Sequence, residues 1–530
     1  MLIVGAGASG SIVARTMARA GFSVVCLEQG GWVGSDEFAG DKLERELLQG
    51  TSWHPNPNHR MRPEDYPCEV SDTPIHPVMF NAVGGSTVHY GGLWTRLLPS
   101  DFRIRTLDGV ADDWPIDYWD LAPYYDKIEQ LMGVSGMPGN PAYPPMTPPP
   151  TPALPIGEMG RRIAQGFNKR GWHWWPGNNA IASREYRHQG ACKRRGTCMT
   201  GCPEGAKGST DLTIWPDALA SGAKLVTGAR VRRVTTDAQG LATGAEWIDR
   251  AGNIHHQAAK VVVMACNGVG TSRLLLLSES TLHPNGLANS SGLIGRRLQM
   301  HACTFVNGVY DDDLQSYLGP YGESINSAQF AERDVSRGFW GGCRMAVSPV
   351  PGPVETWWRY GHLPLEQRIG QSVHDIVAAT GRVCEISVSI DDLPNEDNRV
   401  TLDAALADGD GIPAPKITWS PMPDAAKALD YFADRLVDVH EAAGAIEIRR
   451  EEPDPNVGWH LLGTARMGTD PTGSVVDPFG RAHDVPNLFV VDGSTFVTSG
   501  QTNPTSTIMA LAQRAADHMV ATAGEQRTPL

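Results

Sequence analysis

The sequence predicts an α/β protein of two parts. One part is built around a parallel sheet assembled from separated segments. The other carries a mostly antiparallel sheet and is inserted between them. Three observations predict this. First, a short apolar strand (2–4), the turn Gly5-x-Gly7-x-x-Gly10, a helix and a second strand open the chain. Second, the run 260–264, almost wholly apolar, reads as a buried parallel strand and leads through Asn267-Gly268 into another helix. Third, a strand at 488–491 ends on Asp492-Gly493 before a closing helix.

The elements follow in order. The first helix spans 11–20, with Ile12, Val13 and Met17 on its apolar face and Gly21 as its stop. The second strand, 23–27, ends at Glu28, and the unit is Rossmann-like. The strand before the glycines is short by a residue or two. Residues 31–77 are polar and Pro-bearing, read as loops with short helices. A glycine-rich turn occupies 84–92, and the proline-rich stretch 139–156 reads as an extended surface segment. Residues 224–234 and 242–249 alternate as strands do. A helix is expected over 271–278. Segment 382–403 reads as a strand, a turn at 391–398, and a second strand from Arg399 to Leu402. The last helix is expected over 507–520. No internal repeat is visible.

Composition excludes several function classes. Of the 530 residues 41% are hydrophobic and 20% charged, enough for a large core. The net charge of −14 makes a poor nucleic-acid binder, and the run Lys193-Arg194-Arg195 is too short to change that. No apolar stretch reaches the ~18 residues of a membrane span. No basic region or cleavage site precedes the first strand, so a cytoplasmic protein is expected. Nine cysteines, an odd number, argue against a full disulfide framework.

Two regions carry chemistry. In the opening unit, Gly5 allows the tight turn, Gly7 lets a diphosphate reach the backbone, and Gly10 lets helix and strand pack closely. Glu28 stands where ribose hydroxyls would donate to it, and it would repel a 2′-phosphate. The motif alone does not separate NAD from FAD. Near the carboxyl end, His460-Leu-Leu-Gly463-Thr464 precedes Asp492-Gly493 and then Asn503-Pro504-Thr505. An imidazole can take an alcohol proton near neutrality, and a carboxamide can hold the alcohol oxygen without competing as a base. The bland readings are a hydrogen-bonded core histidine and a helix-start turn.

The chain resembles the glucose-methanol-choline (GMC) flavoprotein oxidoreductases. Four stretches carry the resemblance: the opening glycines with Glu28; Gly84-Gly-Ser-Thr with Gly91-Gly-Leu-Trp-Thr-Arg96; the strand-turn-helix from Val261 to Ser278; and the 460–511 block. The resemblance implies FAD as cofactor and oxidation of an alcohol by hydride transfer to flavin N5. It implies an FAD-binding domain of 1–100, 205–300 and 456–525, and a substrate domain of 101–204 and 301–455. His460 falls at the family's active-site histidine, and Asn503 at its second active-site position. Gly84, Gly85, Ser86 and Thr87 fall against the flavin, Val231 at the adenine, and Asp492 and Gly493 at the ribityl-diphosphate.

Two features go beyond that core. His89 falls where pyranose oxidase-like members join a histidine covalently to the flavin; otherwise it is a packing or hydrogen-bonding residue. Cys192-x5-Cys198-x3-Cys202 has spacing similar to that of bacterial FAD-dependent glucose dehydrogenases, which carry a three-iron cluster. Here Lys193 replaces a further cysteine of that group. A cluster, zinc with His188 as a fourth ligand and a structural loop are the three readings, and no residue is assigned to a metal. Trp172-His173-Trp174-Trp175 reads as a domain edge or as a wall for a ring-shaped substrate, and Trp459 is expected to touch substrate. His301 and His483 receive no role.

The expected function is FAD-dependent oxidation of a sugar, glycoside, aryl or aliphatic alcohol with His460 as base. The expected partners are a small alcohol and, for reoxidation, a quinone or electron-accepting protein, or oxygen in an oxidase. The rivals are a lyase with redox-silent FAD, a nicotinamide-dependent dehydrogenase and a flavin-binding protein without turnover.

Overall fold

The computed structural model describes residues 1–60, 62–360 and 363–523. Its parallel sheet has five strands. In chain order its elements are β1 (Leu2–Val4), α1 (Ala8–Arg19), β2 (Val25–Glu28), β3 (Lys224–Thr227), β4 (Val262–Met264), α2 (Asn267–Leu277) and β5 (Leu488–Val490), with α3 (Thr505–Ala523) closing the chain. Across the sheet the order is β5-β4-β1-β2-β3, every pair parallel. The central strands are buried on both faces, so they read as continuous apolar runs. Helix α3 packs across α1, and Ile12, Val13 and Met17 of α1 join Met509, Ala512 and Ala516 of α3 in one core. Helix Tyr118–Met132 also packs on α3.

Sequence and structure differ in instructive places. The stretch 224–234 is two strands of different sheets. After β3, Arg230–Thr236 joins Ala242–Ile248 and Ile254–Ala258 in an antiparallel three-stranded sheet. The two strands of 382–403 are not a hairpin either: Val383–Ile390 lies in the six-stranded sheet, whereas Arg399–Ala407 pairs with Pro413–Thr418. Helix α2 begins at Asn267, four residues before the expected start, because Asn267 takes a positive φ of 68° and its Oδ1 accepts from the N–H groups of Val269 and Gly270. The side chain thus satisfies two orphan donors of the first turn. A strand at Glu69–Asp72 occurs inside the stretch read as loops.

The six-stranded antiparallel sheet has the order Glu447–Arg450, Cys303–Val309, Val383–Ile390, Cys343–Ser348, Ile325–Ser327, Trp175–Pro176. One face is covered by helix Ala425–Ala443, whose Phe432 and Leu436 pack with Cys384, Ile386 and Val388. The alternate residues of those strands face the other way, toward the parallel sheet.

Candidate functional site

A cavity of ≈ 420 Å³ runs between the two sheets. At one end it is lined by Glu28, Ala229 and Val231, in its middle by Gly5, Gly7, Gly85, Ser86 and Thr87, and at the other end by Trp459, His460 and Asn503. His89, Asp492 and Gly493 line it too. Gly10 and Gly84 do not. A Cβ on Gly10 would lie 2.0 Å from the Gly5 carbonyl oxygen and 3.2 Å from the Ala265 Cβ, so Gly10 serves the close approach of α1 to the sheet. Gly84 makes the turn ahead of Gly85, at a φ of 94°.

The residues present fit a dinucleotide. Helix α1 starts after Gly7 with no side-chain cap, which leaves its first N–H groups directed at the cavity. Opposite it lies Gly85, where a Cβ would sit 2.9 Å from the Gly7 Cα. Two loops bare of side chains therefore touch, and their backbones line the middle of the cavity beside that contact. Glu28 is buried, and its oxygens accept from the Ala6 and Gly30 N–H groups at 2.8 Å each. It braces the glycine turn as well as lining the cavity. Asp492 accepts from Thr271 Oγ1 at 2.5 Å and from the N–H and hydroxyl of Ser494, which fixes it beside Gly493. Burial raises the Glu28 and Asp492 carboxyls above their ordinary range.

His89 is buried and donates Nε2–H to the Trp53 carbonyl at 2.6 Å, within an aromatic nest of Trp53 and Phe80. Burial lowers its pKa to about 3. Its loop is held by Lys207, whose ammonium donates to the carbonyls of Val88, Tyr90 and Cys198 at 2.7, 3.1 and 2.6 Å.

At the far end, His460 Nε2 lies 3.1 Å from Asn503 Nδ2. Residues from the start of the 460–464 turn and the approach to α3 thus meet, as the sequence pattern anticipates. On the other side of the ring, His460 Nδ1 lies 2.5 Å from His301 Nδ1, and His301 Nε2 lies 2.6 Å from the Gly500 carbonyl. Burial first, and His301 second, push the His460 imidazole well below its ordinary pKa. A lone histidine in Gln299-Met300-His301 carries no sequence signal, and its contact with His460 exists only in three dimensions.

The roof over this end is a grid on the six-stranded sheet. Ser389 stands between Cys303 and Arg344, Ser387 between Phe305 and Ala346, and Glu385 between Asn307 and Ser348. All but Asn307 line the cavity. Arg344 is paired with Glu323 at 2.6 Å, and Glu385 with Arg359 at 2.8 Å. Burial and the nearby Glu451 and Glu355 raise Glu385 to about 7, against the opposing pull of Arg359. The sequence held the signal for this roof. In Val-Cys-Glu-Ile-Ser-Val-Ser-Ile, Glu385, Ser387 and Ser389 alternate with apolar neighbours.

The remaining expectations fall as follows. Trp172 packs on Phe330, while Trp174 and Trp175 donate to Asn168 and the Met137 carbonyl, and none of them lines the cavity. The run ends on the edge strand of the six-stranded sheet. Trp459 lines the cavity and is 39% exposed, at its mouth. Cys192, Cys198 and Cys202 are free thiols packed on Leu154, Ile181 and Ala206. His188 turns instead to Asp217 at 3.1 Å. Among the described residues, no three His, Cys, Asp or Glu are grouped to hold a metal ion, and no helix is long and apolar enough to cross a membrane.

Comparison with known proteins gives the family. Models of the GMC oxidoreductase family match residues 162–303 and 394–512, and a NAD(P)-binding Rossmann-like domain model matches 3–62. A 2-methyl-1,2-propanediol dehydrogenase of Mycolicibacterium austroafricanum is 40% identical over 98% of this chain and 94% of its own. The chain belongs to the GMC oxidoreductase family. As a GMC oxidoreductase it uses FAD to oxidise CH–OH donors. A paromamine 6′-oxidase of Streptomyces fradiae is 32% identical over 97% of this chain and 90% of its own. Among solved structures, an Aspergillus oryzae formate oxidase variant superposes with a TM-score of 0.62 at 16% identity, covering 99% of this chain and 98% of its own. That likeness supports the GMC fold.

Proposed function

We propose that this GMC oxidoreductase oxidises a hydroxyl of a small polyhydric alcohol, with His460 Nε2 as the base and the Asn503 amide holding the oxygen. The observation that carries the reading is the 3.1 Å approach of Asn503 Nδ2 to His460 Nε2 inside the cavity. His460 is buried and neutral, ready to accept a proton. The alcohol oxygen placed between the two side chains gives its proton to Nε2, and the amide N–H steadies the alkoxide character that develops. FAD, when bound, supplies the hydride acceptor at N5. The residues that would hold it are Gly5, Gly7, Glu28, Gly85, Ser86, Thr87, Val231, Asp492 and Gly493, with His89 beside the ring.

The roof supports the substrate class. Three serine hydroxyls, one carboxylate and one guanidinium over the reacting end suit additional hydroxyls rather than a long apolar body. The relatives named for 2-methyl-1,2-propanediol and paromamine point the same way. In this reading segments 1–100, 205–300 and 456–525 hold FAD, and 101–204 and 301–455 hold the substrate. Reoxidation falls to a quinone or an electron-accepting protein, in keeping with the relative named a dehydrogenase. The nine free cysteines accord with work in the cytoplasm.

The test is anaerobic mixing with 2-methyl-1,2-propanediol and other short polyols, followed by bleaching of the flavin band near ~450 nm. His460→Ala should slow bleaching by about 10²–10⁴-fold. Wild-type bleaching by the variant would refute the base. No bleaching of the native enzyme by any alcohol would refute the oxidation.

A further inference from the structure

The geometry points to His301 as a positioning residue that fixes the tautomer of His460, through a relay running from the Gly500 carbonyl to the substrate side of the His460 ring. The inference rests on His460 as the base.

The argument is one of donors and acceptors. The Gly500 carbonyl can only accept, so His301 Nε2, 2.6 Å away, carries a hydrogen. A neutral His301 with its proton on Nε2 has a bare Nδ1. Two Nδ1 atoms 2.5 Å apart need one proton between them, and it must then come from His460. His460 is therefore the Nδ1–H tautomer, with its Nε2 lone pair turned to Asn503 and the cavity. The opposite assignment would put a hydrogen on Nε2 and leave no base there. The centroids lie 4.7 Å apart, the separation of two imidazoles joined nitrogen to nitrogen at 2.5 Å, with the ring planes turned 78° to each other.

The surroundings hold the relay in place. His301 is 1% exposed and His460 7%. The Met300 N–H donates to Asp392 Oδ2 at 3.1 Å, the Asp392 N–H donates to Ser499 Oγ at 3.0 Å, and Ser499 Oγ donates to the Asp392 carbonyl at 3.1 Å. This lacing fixes residue 301 against residue 500. Trp419 Nε1 donates to the same Asp392 carboxylate at 3.1 Å. Burial raises the Asp392 carboxyl to about 8, and neither ring is hydrogen-bonded to a carboxylate. The relay orients a base with an imidazole where other enzymes use an acid, and when His460 takes a proton, its Nδ1–H has His301 to share the charge with.

The test compares two replacements. Asn places an oxygen where Nδ1 of His301 stands and keeps the acceptor; Leu removes it. His301→Leu should lower kcat/KM for the alcohol by about 10²–10⁴-fold, the range that general base catalysis contributes. KM should change little, and flavin content and melting temperature should stay near native. His301→Asn should recover to within about tenfold of wild type. Selectively ¹⁵N-labelled histidine should show His460 as Nδ1–H in the native protein and in His301→Asn, and as a mixture in His301→Leu. Native-like kcat/KM in His301→Leu, equal damage in the two variants, or an Nε2–H His460 in the native protein would overturn the inference. If His460→Ala itself stayed active, the base would fail, and the relay with it; a failure confined to the His301 variants leaves the base intact.

Discussion

Replacing Lys207 with Met probes the framework that sets the 84–92 loop. Lys207 is 1% exposed and donates to three carbonyls, those of Val88 and Tyr90 on the 84–92 loop and that of Cys198 on the cysteine loop. Methionine keeps the stem and removes the head, stranding three acceptors. A hydrogen bond to a charged group contributes ~1.5–3 kcal/mol net. Against this, burial lowers the ammonium from 10.5 to about 8, a bias against the charge of roughly 3 kcal/mol. The three bonds less that bias leave a loss of about 1–6 kcal/mol at pH 7. The pH dependence has a fixed sign. The folded pKa lies below the unfolded one, so the folded state binds fewer protons between about 8 and 10.5. Lys207's contribution is smallest below pH 8 and grows through that window. Denaturant unfolding of the flavin-loaded enzyme, followed by flavin fluorescence, should show a lower midpoint for Lys207→Met and a gap that widens from pH 8 to 10. An unchanged midpoint at pH 7, or a gap that narrows with pH, would refute the reasoning.

Three further outcomes are expected. Because burial and His301 hold His460 well below its ordinary pKa, the kcat/KM profile should stay flat down past pH 6; an acid limb at or above 6.5 would contradict the burial argument. Gly85→Ala puts a Cβ 2.9 Å from the Gly7 Cα at a φ of 55°. It should cost ~1–2 kcal/mol for the left-handed backbone alone and leave the purified protein short of flavin by its absorbance ratio. Since His89 Nε2 is committed to the Trp53 carbonyl, acid precipitation should release all the flavin into the supernatant, and a yellow pellet would show a covalent bond.

Much of the site was legible in the sequence because its parts sit in short local patterns. The glycine turn with Glu28, the Gly84–Thr87 turn, and the His460, Asp492 and Asn503 stretches are each set by a backbone that needs those residues within a few positions. What stayed hidden was set by contacts across the chain. His301 and His460 are 159 residues apart and meet nitrogen to nitrogen. The strands after Thr227 and after Ile390 leave one sheet for another, which alternation cannot reveal, since it reports a half-buried strand and not its partner. The roof was half visible: polar alternation marked Glu385, Ser387 and Ser389, but only the strand register sets them beside Arg344 and Ser348.

That register separates two jobs within one ribbon. Cys384, Ile386, Val388 and Ile390 belong to the packed interior, while Glu385, Ser387 and Ser389 line the cavity. On the proposed function, exchanging Ser387 or Ser389 should change what the enzyme accepts while leaving that packing in place. Selectivity here can drift by single substitutions, at positions that stability does not police.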